Sequence, residues 1–205
     1  MLDKIHWLGN AGFYIKTDKG KIIYIDPYKI KNNLPKADII LISHEHFDHC
    51  SVEDIKKIVK TETVIIGPVN ITDKIPYAVK ILKPKEKIKI EDIEIEGVSA
   101  YNIGKEFHPK ARGDLGFIIS VDKIRIYHAA DTDLIPEMKE IKADIALLPV
   151  CSPYTMNGEE AAQAASIINP KIAIPMHFGR VAGSLQDAED FKKFSKVEVK
   201  ILKQE

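Results

Sequence analysis

Six consecutive residues, His44-Glu45-His46-Phe47-Asp48-His49, follow directly on the apolar run Ile39-Ile40-Leu41-Ile42 and limit what this chain can fold into. Three imidazoles and a carboxylate in so short a span make a ligand cluster rather than an ordinary surface loop. Along an extended strand end, alternation sends His44, His46 and Asp48 to one side and His49 to the other, so a turn here would fold all four around a small volume. The run before the cluster reads as a buried strand, and Ser51-Val52-Glu53-Asp54 after it has the form of a helix-starting capping box. Strand, ligand loop and helix in that order describe a metal site. Imidazole nitrogen and carboxylate oxygen suit zinc, iron, manganese or nickel, and none of these needs a thiolate. The bland alternative, a solvated His-rich loop, accounts for neither the strand entering the cluster nor the helix leaving it.

Around that site the first half of the chain reads as short strands joined by tight turns, at 4–8, 13–17, 21–26, 37–43 and 63–67, with Asp18-Lys19-Gly20 as a hairpin connection. A helix over 53–60 carries Ile55, Ile58 and Val59 at helical spacing, as expected of a helix laid on a sheet. Further strands follow at 79–82, 87–90, 93–98, 115–121 and 123–128. Strands and helices then alternate: a short helix at 136–141, a strand at 144–150, an Ala-rich helix at 159–168 ended by Asn169-Pro170, a strand at 171–177, a helix at 186–194 and a strand at 197–202. Two sheets with helices on their outer faces account for this order, giving an α/β (α+β) four-layer arrangement, helix, sheet, sheet, helix.

The 205 residues, 45% of them hydrophobic, suffice for one sizeable core, and one domain spanning 1–205 is expected. Thirty Lys and Arg balance thirty Asp and Glu, so no global field favours nucleic acid or an anionic membrane. No signal-type segment and no stretch of about eighteen apolar residues is present, so a soluble, cytoplasmic protein without stable membrane association is expected. Cys50 and Cys151 are too few for a disulfide framework and read as packing residues.

Ligands that complete a metal site belong where apolar strands end, because a rigid strand positions a side chain better than a loose loop. Asp26 ends Ile22-Ile23-Tyr24-Ile25, Asp131 follows the run 124–130, and His177 ends Ile172-Ala173-Ile174-Pro175-Met176. Each alone could be a strand-terminal residue facing water; three together favour a shared centre. His6 and His128 lie within strands and read as packed, hydrogen-bonded histidines.

In these motifs the chain resembles the metallo-β-lactamase superfamily, in the small stand-alone branch of ascorbate-6-phosphate lactonase and N-acyl phosphatidylethanolamine phospholipase D type enzymes. The segment His44 to His49 matches the superfamily's His-x-His-x-Asp-His signature, Asp26 its early Asp, Asp131 in Ala130-Asp131-Thr132-Asp133 its bridging Asp, and His177 in Pro175-Met176-His177 its final His. The resemblance implies the αββα metallo-β-lactamase sandwich. It also implies that His44 and His46 hold one metal, Asp48, His49 and His177 a second, with Asp131 bridging and Asp26 orienting an imidazole. The branch usually has a further His near Ala100-Tyr101-Asn102, where this chain has Asn102. Three resolutions are open: Asn102 coordinates through its carbonyl oxygen, His108 in Phe107-His108-Pro109-Lys110 reaches back, or the first site is three-coordinate. Ligand strength favours His108. Asn10 likewise stands where the branch often shows His.

The implied chemistry is hydrolysis of an ester, lactone or phosphodiester on a small-molecule substrate, by water activated at two divalent ions, most simply zinc, with Asp48 and Asp131 as the catalytic carboxylates. Tyr101, Arg112 and the segment 151–156 are expected to shape the pocket, Arg112 by holding a phosphate or carboxylate. Two readings from other classes compete: a non-catalytic metal-binding or regulatory protein, and a di-iron redox protein on the same fold. A homo-oligomer is compatible with all of these.

Overall fold

Parity along the apolar strands divides the interior in two. Ile23, Ile25, Ile39, Leu41 and Ile66 join one buried cluster, whereas their chain neighbours Tyr24, Ile40, Ile42 and Ile65 join another with Ile55 and Ile58. Side chains of a strand alternate between faces, so an unbroken apolar run needs cover on both sides. The computed structural model, which describes residues 2–205 and so leaves Met1 of the expected domain outside the described residues, supplies that cover with a second sheet on one face and a helix on the other.

The first sheet has the order β1 (Ile5–Gly9), β2 (Gly12–Lys16), β3 (Ile22–Ile25), β4 (Ile39–Leu41), β5 (Val64–Gly67), β6 (Val79–Ile81). The second comprises β7 (Lys87–Ile90), β8 (Ile93–Ser99), β9 (Leu115–Val121), β10 (Ile124–His128), β11 (Ile145–Pro149), β12 (Ile172–Met176) and β13 (Glu198–Val199), again in sequential order. Each sheet begins as an antiparallel meander and continues with parallel strands, from β3 in the first and from β10 in the second. Helix α1 (Val52–Ile58) covers the outer face of the first sheet. Helices α2 (Gly158–Ile168) and α3 (Leu185–Phe194) pack on β11 and β12 of the second. This is the four-layer order expected from the sequence. Where α2 meets α3, a Cβ on Gly158 would lie 2.7 Å from Asp187 O and Phe191 N, so only glycine permits that approach.

Local chemistry sets the helix ends. Asn157 with Glu160 and Ser184 with Asp187 form reciprocal capping boxes that satisfy the first amides of α2 and α3. Helix α1 stops at Ile58 rather than at Lys60, because Val59 is extended although its amide still bonds to Ile55 O. The short helix expected at 136–141 is a 3-10 helix over Pro136–Glu140. The expected strand 197–202 pairs only over Glu198–Val199. Beyond it the chain leaves the second sheet and bridges Trp7 through Gln204, with Glu205 N donating to Trp7 O, so the tail ties one sheet's edge to the other. No helix among the described residues is long and apolar enough to cross a membrane.

Asp54, on the first turn of α1, is nearly buried and accepts from Lys29 N, Ile30 N, Ser51 Oγ and Lys57 Nζ at 2.6–3.1 Å. Burial pushes its carboxyl up, but Lys57 and these donors outweigh it and hold the pKa below 3.8. Its stabilising contribution is therefore complete above 3.8 and lost as pH falls through the lower, folded-state value. Asp54→Asn is expected to cost about 1–3 kcal/mol at neutral pH, and denaturant titrations should find that gap narrowing at pH about 3.

Candidate metal centre

The carboxyl ends of parallel strands in both sheets meet on one side of the molecule. Asp26 follows β3, Ser43 and His44 lie just beyond β4, Asp131 follows β10, and His177 follows β12. After His44 the chain reverses sharply, with His49 N and Cys50 N both donating to His46 O at 3.0 and 2.8 Å, which gathers the four ligand-type side chains. His108 arrives from the loop between β8 and β9. Several of these positions adopt left-handed backbone: Asn10 (φ 51°), Asp26 (φ 43°), Ala130 (φ 56°) and His177 (φ 60°). Such geometry costs of order 1–3 kcal/mol per residue and persists where neighbours enforce it. Here His177 N donates to Asn10 O and Asp26 N to Leu41 O.

Three overlapping donor sets result, each with its ligand atoms within 4.8 Å of one another: His44, His46 and His108; His44, His49 and Asp131; Asp48, His49 and His177. Asp131 links them. Its Oδ2 lies 3.4 Å from His49 Nε2, 3.4 Å from His108 Nε2 and 3.2 Å from His177 Nε2. His49 Nε2 and His177 Nε2 face each other at 3.2 Å. Asp26, fully buried, accepts from Ser43 N at 2.8 Å and from Ser43 Oγ at 2.6 Å, and meets His49 Nδ1 at 2.8 Å. With the Nδ1 proton given to Asp26, His49 Nε2 is the atom turned toward Asp131.

A divalent cation fits this donor set. His44 Nε2 and Asp131 Oδ1 are buried and have no hydrogen-bond partner among the described residues, a costly condition that a cation would relieve. The nitrogen and oxygen donors match borderline and hard cations, with no thiolate in any set.

Electrostatically the two halves differ. Burial, reinforced by the neighbouring His49, pushes His44 well below the usual imidazole range, and burial with the Arg112 charge lowers His46. Both are neutral nitrogen donors at neutral pH. For His49, burial acts downward but Asp131 and Asp26 overcome it and raise the pKa to about 10. At His177 burial likewise acts downward, but Asp131 outweighs it and holds the imidazole well above its usual range. Asp131, in turn, is held far below the carboxylate range by His177 and His49 against its own burial. Burial raises Asp48, yet the bond from His177 and the charge of His49 bring it down to about 2. The carboxylate-rich half therefore attracts positive charge.

Of the remaining expected residues, Asn102 spends its side-chain amide on neighbouring protein groups. Its Nδ2 donates to Asp133 Oδ1 and Tyr154 O, and its Oδ1 accepts from His108 N at 3.1 Å, so it secures the loop that carries His108. Arg112 does not hold itself out for a ligand: Nε donates to both Asp114 oxygens at 2.9 Å, and the guanidinium lies against two imidazoles, Nη1 2.9 Å from His46 Nε2 and Nη2 2.8 Å from His108 Nδ1. Tyr101 turns its hydroxyl to Glu137 rather than to the cavity. His128 donates from Nε2 to Ala11 O and accepts at Nδ1 from Ala130 N, and His6 pairs with Glu205 and stacks on Tyr14. The sequence reading passed over Ser43, whose hydroxyl touches Asp26 and His44, and its only signal was its place between an apolar run and the first His. Of the apolar groups at the mouth it anticipated Tyr154, within the segment 151–156, and passed over Phe47, Phe107 and Val181.

A cavity of about 330 Å³ opens above the cluster, its polar lining made by His46, Asp48, His108, Asp131 and His177. Residues 4–177 match the family model described as the beta-lactamase superfamily domain. A UPF0173 metal-dependent hydrolase from Methanopyrus kandleri is 34% identical over 216 residues, covering 93% of this chain and 90% of that protein. A UPF0173 protein from Pyrococcus abyssi is 38% identical over 202 residues, with 93% and 89% covered. The crystal structure of a candidate metal-dependent hydrolase from Parabacteroides distasonis superposes with a TM-score of 0.88 at 37% identity, over 98% of this chain and 93% of that one. The chain belongs to the beta-lactamase superfamily, among the UPF0173 metal-dependent hydrolases.

Proposed function

We propose that the protein is a hydrolase of a small-molecule ester, lactone or phosphodiester. In this reading His44, His46 and His108 would hold one divalent cation and Asp48, His49 and His177 a second, with the Asp131 carboxylate available to both. The observation that carries it is the contact of one Asp131 oxygen with imidazole nitrogens of both donor sets. Zinc suits the nitrogen-rich set best, and manganese, iron or nickel suit the same donors. Bound there, such cations would ionise a water near neutral pH and polarise the substrate oxygen under attack.

The chain's own residues supply the rest. Asp48 lines the cavity, takes a 3.0 Å bond from Asn10 Nδ2 and stays ionised, so its carboxylate can accept a hydrogen bond from the attacking water and pass a proton to the leaving group. Asp26 sets the His49 tautomer, with Ser43 Oγ fixing the carboxylate. Arg112 and Asp114 pin the His46 and His108 rings from outside the cavity. No Ser or Cys nucleophile is needed, and burial raises the Cys50 thiol to about 12, outside the range of a reactive thiolate.

Metal analysis of the purified protein is expected to find about two divalent ions per chain, with hydrolysis abolished by chelation and restored by metal. His49→Ala and Asp131→Ala should lose both metal and turnover; full metal content with unchanged turnover in either would contradict the assignment. Asp26→Asn keeps the shape but weakens the acceptor for His49, so competition with a chromogenic chelator should register a roughly 10–100-fold loss of metal affinity.

A further inference from the structure

The rim of the cavity differs in character from its interior. Phe47 is 65% exposed and packs edge-on against Tyr28 at 5.8 Å. Phe107 and Tyr154, 43% and 40% exposed, form a second edge-on pair at 4.7 Å, and Val181 is 42% exposed beside them. Phe47, Phe107, Tyr154 and Val181 all line the cavity, and they come from four different loops. Scattered exposed apolar side chains need no explanation, but convergence of four loops on the mouth of one polar site marks a surface that meets apolar matter.

Cations are missing from that mouth: no Lys or Arg lines the cavity among the described residues. Of those nearby, Lys29 places its Nζ over the Tyr28 ring at 5.2 Å and the others are held by protein groups. Arg112 is held by Asp114 and two imidazoles, Lys105 Nζ donates to Asp133 and Thr155 O, and Arg180 Nη1 donates to the carbonyls of Tyr28 and Lys29. A substrate bearing a phosphate or carboxylate away from its reacting bond would find no forked donor to pair with it.

Resting on the hydrolase reading above, we propose that the substrate is an uncharged carboxylic ester or lactone whose acyl or aryl portion is apolar and sits between the two aromatic pairs. Water adds at the acyl carbon and the acyl C–O bond breaks, giving a carboxylate, an alcohol or hydroxyl group, and one proton. The cavity volume of about 330 Å³ lies near the lower end for ligand pockets, which fits a compact hydrocarbon group.

The test compares p-nitrophenyl acetate, butyrate and hexanoate with bis(p-nitrophenyl) phosphate on zinc-loaded protein. The expected result is a rise in kcat/KM of about fourfold per added methylene, the ratio corresponding to about 0.8 kcal/mol of burial, and preference for the esters over the phosphodiester. Phe47→Ser and Phe107→Ser should each lower the hexanoate-to-acetate ratio several-fold, and the wild-type series stands as a test even if a variant misfolds. A flat or falling chain-length series, or metal-dependent cleavage of the phosphodiester in preference to the esters, overturns the inference while leaving the hydrolase intact. Absence of metal-dependent turnover on every substrate overturns the hydrolase reading, and the inference with it.

Discussion

A carboxylate buried to within 3% of full exclusion, with three imidazole nitrogens inside 3.4 Å of one oxygen, is the interaction around which this molecule is arranged. Removing Asp131 from water is costly, and that cost is offset only by positive charge on its neighbours or by a cation among them. The imidazoles come from the turn after β4, the loop between β8 and β9, and the end of β12, so satisfying one carboxylate draws together both sheets. Asp26 repeats the device one layer further in, where a fully buried carboxylate is satisfied by Ser43 and His49. The two acids grip His49 from its two nitrogens, which is why that ring has little freedom to turn.

Strained backbone occurs at the same places, as it does at Lys29, Lys85, Glu91, Asp122, Lys123 and Asn169 in loops and turns elsewhere. Asn10, Asp26, Ala130 and His177 take a backbone conformation that L-residues avoid: His177 belongs to the cluster, Ala130 precedes Asp131, and Asn10 and Asp26 hydrogen-bond Asp48 and His49. The scaffold that tolerates this is a pair of apolar sheets whose strands are covered on both faces, giving the strand ends little scope to relax. Loops beyond those ends are under no such constraint, and there the chain places the exposed rings of Phe47, Phe107 and Tyr154. A rigid polar interior thus opens onto an apolar mouth.

Much of the layer order was legible because strand parity and helical spacing are local. The runs around Ile22–Ile25 and Ile39–Ile42 alternate between the two buried clusters as an unbroken apolar strand must, and the helices started where Ser51, Asn157 and Ser184 could cap them. Local signals were weaker at ends: the tail after Val199 is drawn to the edge of the other sheet by a pairing with Trp7 that lies nearly two hundred residues away in sequence. Arg112 illustrates the same limit. A guanidinium in a Gly-containing loop has the right chemistry for an anionic ligand, but Asp114 and two imidazoles reach it first.

From the sequence alone came the donor chemistry: a His-rich turn after an apolar strand, and acidic or imidazole residues at three further strand ends. These are properties of residue type and spacing, which survive without coordinates. Only the tertiary structure decided which donors share a volume, bringing His108 beside His44 and His46 while committing Asn102 to hold the loop, and which side chains rim the opening. The physical reason is that coordination and hydrogen bonding act over about 2–3.5 Å, whereas residues that meet at this centre are separated by up to 133 positions, from His44 to His177, and their approach is set by how two sheets pack.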